Sequence, residues 1–198
     1  MVLYQNRYRI ESSRSQNFNY ASNGAYFITI CTKDRKRFLG KIIKLKNCLV
    51  PQIQLSKIGS IVRKCWLAIP DYFPFVILDE FIIMPNHIHG IIIINHGDDC
   101  LNIVETGFKP VSTEFCVSTI MKKINNQNKF GPQSKNLPSI IRGFKIGVTK
   151  YCRRNTNIWN IWQSRFYDRI IRNEQELNRI RKYIVENPQC WKRDRNNI

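Results

Sequence analysis

Apolar and β-branched side chains run almost unbroken through Ala25-Tyr26-Phe27-Ile28-Thr29-Ile30-Cys31-Thr32, which predicts a strand. Two shorter runs near 38–43 and 48–53 predict a hairpin. At Ser56 the period changes: Ile58, Ile61, Val62, Cys65 and Trp66 recur at helical spacing, and Pro70 should stop that helix. Residues 75–84 and 87–95 form two long apolar runs flanking Pro85-Asn86. They predict an antiparallel hairpin that is apolar on both faces and therefore central. Polar residues dominate 96–137, which reads as a variable insertion with a short helix near 112–124. A helix follows Ser139, with Ile141, Phe144, Val148 and Tyr151 along one side, and 161–171 predicts one more strand. Asn173, with Glu176 three residues on, opens the last helix, whose stripe is Leu177, Ile180 and Ile184 and whose end is expected at Pro188.

The order β, α, β–β, α, β, α predicts an α+β fold, an antiparallel sheet with helices packed on one face. A chain of 198 residues suits one domain over 1–198, with 1–23 as a basic N-terminal arm and 96–137 as the insertion.

Charge adds what the pattern cannot. Thirty-two Lys and Arg against 14 Asp and Glu leave a net charge of +18. Self-repulsion on that scale destabilises a compact domain unless a polyanion relieves it, and nucleic acid is the leading partner. A solvated basic surface is the plainer account, but solubility needs less charge. No run approaches the roughly 20 apolar residues of a membrane span. The N-terminus lacks an apolar signal core, and the seven cysteines include no CxxC pair. Both features predict a cytoplasmic protein with reduced thiols, nucleoid-associated when bound to DNA.

The chemistry centres on His87-Ile88-His89, which holds two of the three histidines. Alternation along a strand places His87 and His89 on one face, about 6.5 Å apart at Cα, where both can reach one metal ion. Hydrogen-bonded core histidines are the competing account. Two polar rings inside FIIMPNHIHGIIII nevertheless cost stability unless they have partners, which favours a site. A two-residue turn would set Ile82 opposite His89 and Glu80 diagonal to it, where Glu80 could orient a ligand; an exposed structural glutamate is the competing reading. On the last helix Tyr183 and Asn187 stack one turn apart at the edge of the apolar stripe. Taken alone, ordinary packing accounts for Tyr183 and helix closure for Asn187.

Several blocks in order carry a family resemblance: GAYFITICT at 24–32, LDEFIIMPNHIHGIIII at 78–94, IWQSRFYDRIIRNEQELNRIRKYIVENP at 161–188, and Trp191. The sequence resembles the REP-associated tyrosine transposases, a branch of the single-tyrosine HUH (His-hydrophobic-His), IS200-like transposases. The resemblance implies a ferredoxin-like core with His87 and His89 on a central strand. It implies that these two, with Asn187 as a third ligand, bind Mg²⁺ or Mn²⁺, and that Tyr183 is the nucleophile. Single-stranded, hairpin-forming DNA would be cleaved and rejoined through a 5′-phosphotyrosine by a monomer or a homodimer. Tyr167 is the competing nucleophile. The insertion 96–137 matches no block of the family.

Basic clusters would hold the strand: the N-terminal arm, 33–37, 41–46, and Arg142, Lys145, Lys150, Arg153 and Arg154 on the helix after Ser139; Trp162, Gln163, Phe166 and Tyr167, with Arg165 and Arg169, suit the stacking of unpaired bases. Core packing serves Trp162 equally well. Two other functions fit the same features, a catalytically inactive hairpin-binding protein and a nuclease that uses water instead of tyrosine.

Overall fold

The computed structural model describes residues 19–44, 50–97 and 135–197, with the backbone of 3–4 and 7–8. The expected helix at 112–124 lies outside these residues. The first two strands, β1 (Leu3–Tyr4) and β2 (Arg7–Tyr8), pair only with each other. Then follow β3 (Gly24–Cys31), the hairpin β4 (Gly40–Ile43) and β5 (Gln52–Leu55), and the helices α1 (Lys57–Leu67) and α2 (Ile69–Tyr72). The long hairpin is β6 (Val76–Ile83) and β7 (His87–Ile94). Helix α3 (Leu137–Asn155), strand β8 (Tyr167–Ile171) and helix α4 (Glu174–Cys190) complete the chain.

Strands β6, β7, β3 and β8 form one antiparallel sheet in that order. The central pair is β7 and β3, and every residue of β7 is buried, as its two-faced apolar pattern predicts. Tyr26, Ile28, Ile30, Ile88 and Ile92 point to one face and pack with Val62 and Trp66 of α1 and Ile140, Ile141, Phe144 and Val148 of α3. Gly90 belongs to that face, and a Cβ there would lie 2.5 Å from the Trp66 ring. The predicted packing of helices on one face is therefore seen in α1 and α3. Helix α4 is added on the reverse face, where Leu177, Ile180 and Ile184 cover Ala25, Phe27, Ile91 and Ile93.

The helices start where the sequence places their caps. Ser56 accepts from Gly59 N at 3.0 Å, and Asn173 accepts from Glu176 N at 2.8 Å. Glu176 reaches past the cap to Arg172 N at 3.1 Å and pairs with Arg169. Helix α3 starts slightly earlier than expected, at Leu137, because Asn136 and Ser139 form a reciprocal capping box.

Two boundaries differ from expectation. Pro188 does not end α4, which continues to Cys190; a proline this near the terminus removes one backbone hydrogen bond, and the chain beyond it buries Trp191. The strand expected over 161–171 is regular only from Tyr167. Residues 161–163 meet β3's end through Lys33 N to Ile161 O, 2.7 Å, and Gln163 N to Cys31 O, 3.0 Å. The chain then leaves the sheet, and Lys145 Nζ donates to the carbonyls of Gln163 and Arg165 at 2.8 and 3.0 Å.

Candidate active site

One row of paired residues crosses the sheet: Ile82, His89, Thr29 and Tyr167 stand opposite one another on β6, β7, β3 and β8. Facing residues share a side of the sheet, so this row lies under α4. Cys31 pairs with His87 two positions along, on the same side. Ile82 therefore sits where the turn at Pro85-Asn86 predicts. Glu80 does not: a register shift between Leu78 and Phe81 takes it out of the ladder, and it is exposed.

His87 and His89 are buried, with their Nε2 atoms 3.1 Å apart. Each Nδ1 faces away from the partner ring. His87 Nδ1 lies 2.8 Å from Asn86 Oδ1, and His89 Nδ1 lies 2.8 Å from Thr29 Oγ1. The rings are packed from outside by Trp191, 6.1 Å from His87, and by Phe27, 5.4 Å from His89. Two anchored imidazoles thus converge through their Nε2 atoms.

Helix α4 brings the phenol to the same point. Tyr183 Oη is 3.3 Å from His89 Nε2, and the side chain is half-exposed, open to a large substrate. Asn187, one turn on, is buried, and its Oδ1 has no hydrogen-bond partner among the described residues. An ion pair fixes the helix in this position. Arg181 Nε and Nη2 reach Asp79 Oδ1 and Oδ2 at 2.9 and 2.5 Å, with the Asp79 side chain almost wholly buried.

One participant leaves no periodic signal along the chain. After α4, residues 191–197 turn back across the histidines. Asp194 Oδ2 lies 3.5 Å from His87 Nε2 and has no hydrogen-bond partner there, while Oδ1 accepts from Asn196 N at 2.6 Å. The metal-binding atoms of His87, His89 and Asp194 lie within 4.8 Å of one another. Arg35 Nη1 donates to Arg195 O at 2.7 Å, and Asn86 Nδ2 to Asn196 O at 2.6 Å, tying this segment down. No spacing rule links Asp194 to His87 across so many residues; only the fold does.

The electrostatics suit a cation. Burial pushes His87 down to about 4, against the upward pull of Asp194 and with Arg35 and Arg195 adding to the fall. Burial likewise holds His89 well below the usual range, helped by His87 and Arg195. Both rings are neutral at neutral pH and keep a lone pair to donate. Burial and the Asp194 carboxylate raise Tyr183 above the usual phenol value, opposed by a hydrogen bond from Asn187 and by Arg195. Two neutral imidazoles and the Asp194 carboxylate form a donor set that could hold a divalent ion.

The expected DNA contacts fall elsewhere. Arg142, Lys150, Arg153 and Arg154 are exposed on α3, which packs on the face opposite the histidines. Trp162 packs against the core, 5.8 Å from Phe144. Gln163 and Arg165 lie on the turn that Lys145 braces. Tyr167 is on the site face and half-exposed, with the Arg195 guanidinium 5.7 Å from its ring centre. The described helices include none long and apolar enough to cross a membrane.

No protein-family model matches the chain. It is 39% identical over 185 residues to an uncharacterized protein of Haemophilus influenzae, across 92% of this chain and 90% of that one. Among solved structures it resembles a REP-associated tyrosine transposase bound to a REP hairpin. That likeness has a TM-score of 0.55 at 18% identity and covers 91% of this chain and 73% of the other. The chain therefore belongs to one family with the Haemophilus influenzae protein, and its fold is that of the REP-associated tyrosine transposases.

Proposed function

We propose that this protein is an HUH single-tyrosine strand transferase that cuts and rejoins single-stranded, hairpin-forming DNA. The observation that carries the reading is the Tyr183 hydroxyl, 3.3 Å from His89 Nε2, in a histidine pair whose Nε2 atoms converge on one point. Packing at a helix edge accounts for the ring, and the placing of its oxygen beside the histidine nitrogen is what favours chemistry. His87, His89 and Asp194 would hold the cation, and Asn187, one turn after Tyr183 on α4 with a buried and unpartnered Oδ1, would supply a further oxygen. A divalent ion held there, Mg²⁺ or Mn²⁺, would supply Lewis acidity, polarising the scissile phosphate and stabilising charge on the leaving oxygen.

The chain's own groups do the rest. Tyr183 attacks phosphorus: the bond from Oη to phosphorus forms, the bond from phosphorus to O3′ breaks, the phenolic proton passes to water and the 3′-oxygen takes one from water. A 5′-phosphotyrosine and a free 3′-hydroxyl result. Reversal rejoins the strand without ATP, because the phosphotyrosine keeps the bond energy. Burial and Asp194 raise the phenol's pKa, so the hydrogen bond from Asn187 and the positive charge of Arg195, which lower it, are the chain's own aids to attack. The net charge of +18 suits a polyanionic substrate. The deposition of DNA across the molecule would begin at Arg35, Arg37 and Arg195 beside the site and continue round the β8 edge to the basic side of α3.

The test is incubation with a single-stranded DNA bearing a hairpin, with Mg²⁺ or Mn²⁺ present. Wild type should form a covalent adduct that resists denaturation, and Tyr183→Phe should form none. An adduct in Tyr183→Phe, or cleavage that leaves free 5′-phosphates, rules the mechanism out.

A further inference from the structure

We infer that Asn86 is the positioning residue of the histidine pair: its amide locks His87 with the proton on Nδ1 and the lone pair on Nε2, leaving His89 as the ring that must exchange tautomers when a cation enters. The inference rests on the metal reading above, but its first half concerns the metal-free protein.

Asn86 is fully buried in the turn between β6 and β7. Its Nδ2 donates to Arg35 O at 3.0 Å and to Asn196 O at 2.6 Å. Both are carbonyl oxygens, which only accept, and Nδ2 has two protons to give. Reversing the amide would press Oδ1 against two carbonyl oxygens with no proton between them. The orientation is therefore determined by donors and acceptors, with Oδ1 towards His87.

Oδ1 only accepts. The 2.8 Å contact between Asn86 Oδ1 and His87 Nδ1 then requires the proton to be on Nδ1. A neutral imidazole has one N–H, so His87 Nε2 carries a lone pair, ready to bind an ion before any ion arrives.

His89 is constrained differently. Its Nε2 is 3.1 Å from His87 Nε2, and two lone pairs at that distance repel. Without metal, His89 carries its proton on Nε2 and donates it to His87, while Nδ1 accepts from Thr29 Oγ1 at 2.8 Å. A hydroxyl can donate or accept, so Thr29 permits both states of the ring. When a cation binds, His89 loses the Nε2 proton and gains one on Nδ1, and Thr29 turns from donor to acceptor. Net protonation is unchanged. Asn86 is thus a fixed stop and Thr29 a rotor. Because Asn196 O is one of the two acceptors holding the Asn86 amide, the chain after α4 is part of the device.

Long-range ¹H–¹⁵N spectra of imidazoles distinguish the two tautomers directly, and His96→Gln leaves only the two rings of interest. In chelator-treated protein we expect His87 protonated on Nδ1 and His89 on Nε2, with His89 changing to Nδ1 on addition of Mg²⁺. His87 protonated on Nε2 overturns the inference. Asn86→Leu should release His87 and weaken Mg²⁺ or Mn²⁺ binding, measured by calorimetry, on the order of ten- to a hundredfold. Asn86→Asp keeps an acceptor towards His87 but sets its second oxygen against the Arg35 and Asn196 carbonyls, so it should keep the Nδ1 tautomer while losing stability. Loss of the Nδ1 tautomer in folded Asn86→Asp as complete as in Asn86→Leu overturns the inference, and the wild-type spectrum decides even where neither variant folds. Wild type that binds no Mg²⁺ yet shows His87 protonated on Nδ1 supports the lock and instead sinks the metal reading.

Discussion

The Tyr183 hydroxyl lies 3.3 Å from Nε2 of His89, although the two residues belong to different layers of the fold. One is on the helix that covers the sheet, the other on a central strand beneath it. Tyr167 also stands on this face, opposite Thr29, but two strands from His89. Adjacent strands are about 4.8 Å apart, so its Cα lies roughly 10 Å from that of His89. Tyr167→Phe should therefore form the covalent DNA adduct at a rate within a few-fold of wild type, whereas Tyr183→Phe should form none. Denaturing gel electrophoresis of labelled hairpin DNA reads both. The reverse pattern would transfer the nucleophile to Tyr167.

The two buried histidines should make the metal-free protein acid-sensitive. Folded His87 is held at about 4, while the unfolded ring has an ordinary value near 6.5. Between those values the unfolded chain binds a proton that the folded chain refuses, so stability rises with pH across the window and is lost as pH falls through it. His89, also held low by burial, acts in the same direction. Each ring contributes a slope of up to about 1.4 kcal/mol per pH unit. Urea denaturation in chelator between pH 7 and pH 4 should show this loss, and His87→Gln should reduce it. A flat profile would mean that the folded rings bind protons as readily as the unfolded ones.

Much of this arrangement is legible in the sequence, and the parts that are not share physical causes. His87 and His89 are conspicuous because two polar rings interrupt an apolar strand, and the caps Ser56 and Asn173 mark helix starts that the structure keeps. The face that α4 covers is not legible. Strands β3 and β7 are apolar on both sides, so period-two alternation cannot say which side takes which helix. The bulge after Leu78 is hidden as well, because a one-residue insertion in a ladder leaves no periodic trace, and Glu80 is displaced by it. Asp194 lies in an irregular segment where no period operates, and it reaches His87 only through tertiary contacts.

The pair Arg181–Asp79 joins the helix that carries Tyr183 to the edge strand of the sheet, two residues before that tyrosine. Asp79 is almost wholly buried, so removing its partner leaves a charge with poor solvation. Arg181→Ala should cost about 3 kcal/mol, the lower end for a broken buried pair, because Glu80 N still donates to Asp79. Adduct formation should slow as well, since α4 is no longer held where Tyr183 meets His89. The double variant Asp79→Asn with Arg181→Ala should recover part of the stability without recovering the rate. Full activity in Arg181→Ala would show that packing of Leu177, Ile180 and Ile184 alone sets the helix.

Asp194 acts on both halves of the site, and Asp194→Asn separates them. Its carboxylate joins the histidines in the donor set, so losing its charge should weaken Mn²⁺ binding. Opposite charges about 4 Å apart attract by a few kcal/mol at an effective dielectric of 20, partly offset by desolvation, so a loss of roughly tenfold or more is expected. The same carboxylate also raises the Tyr183 pKa. Removing it favours the phenolate, so at saturating Mn²⁺ the rise of adduct formation with pH should move to lower pH. Calorimetry reads the first effect and the pH profile the second. Weaker binding with an unmoved profile would leave Asp194 as a metal ligand alone. Unchanged binding would exclude Asp194 from the donor set and leave Asn187 Oδ1 as the oxygen partner of the histidine pair.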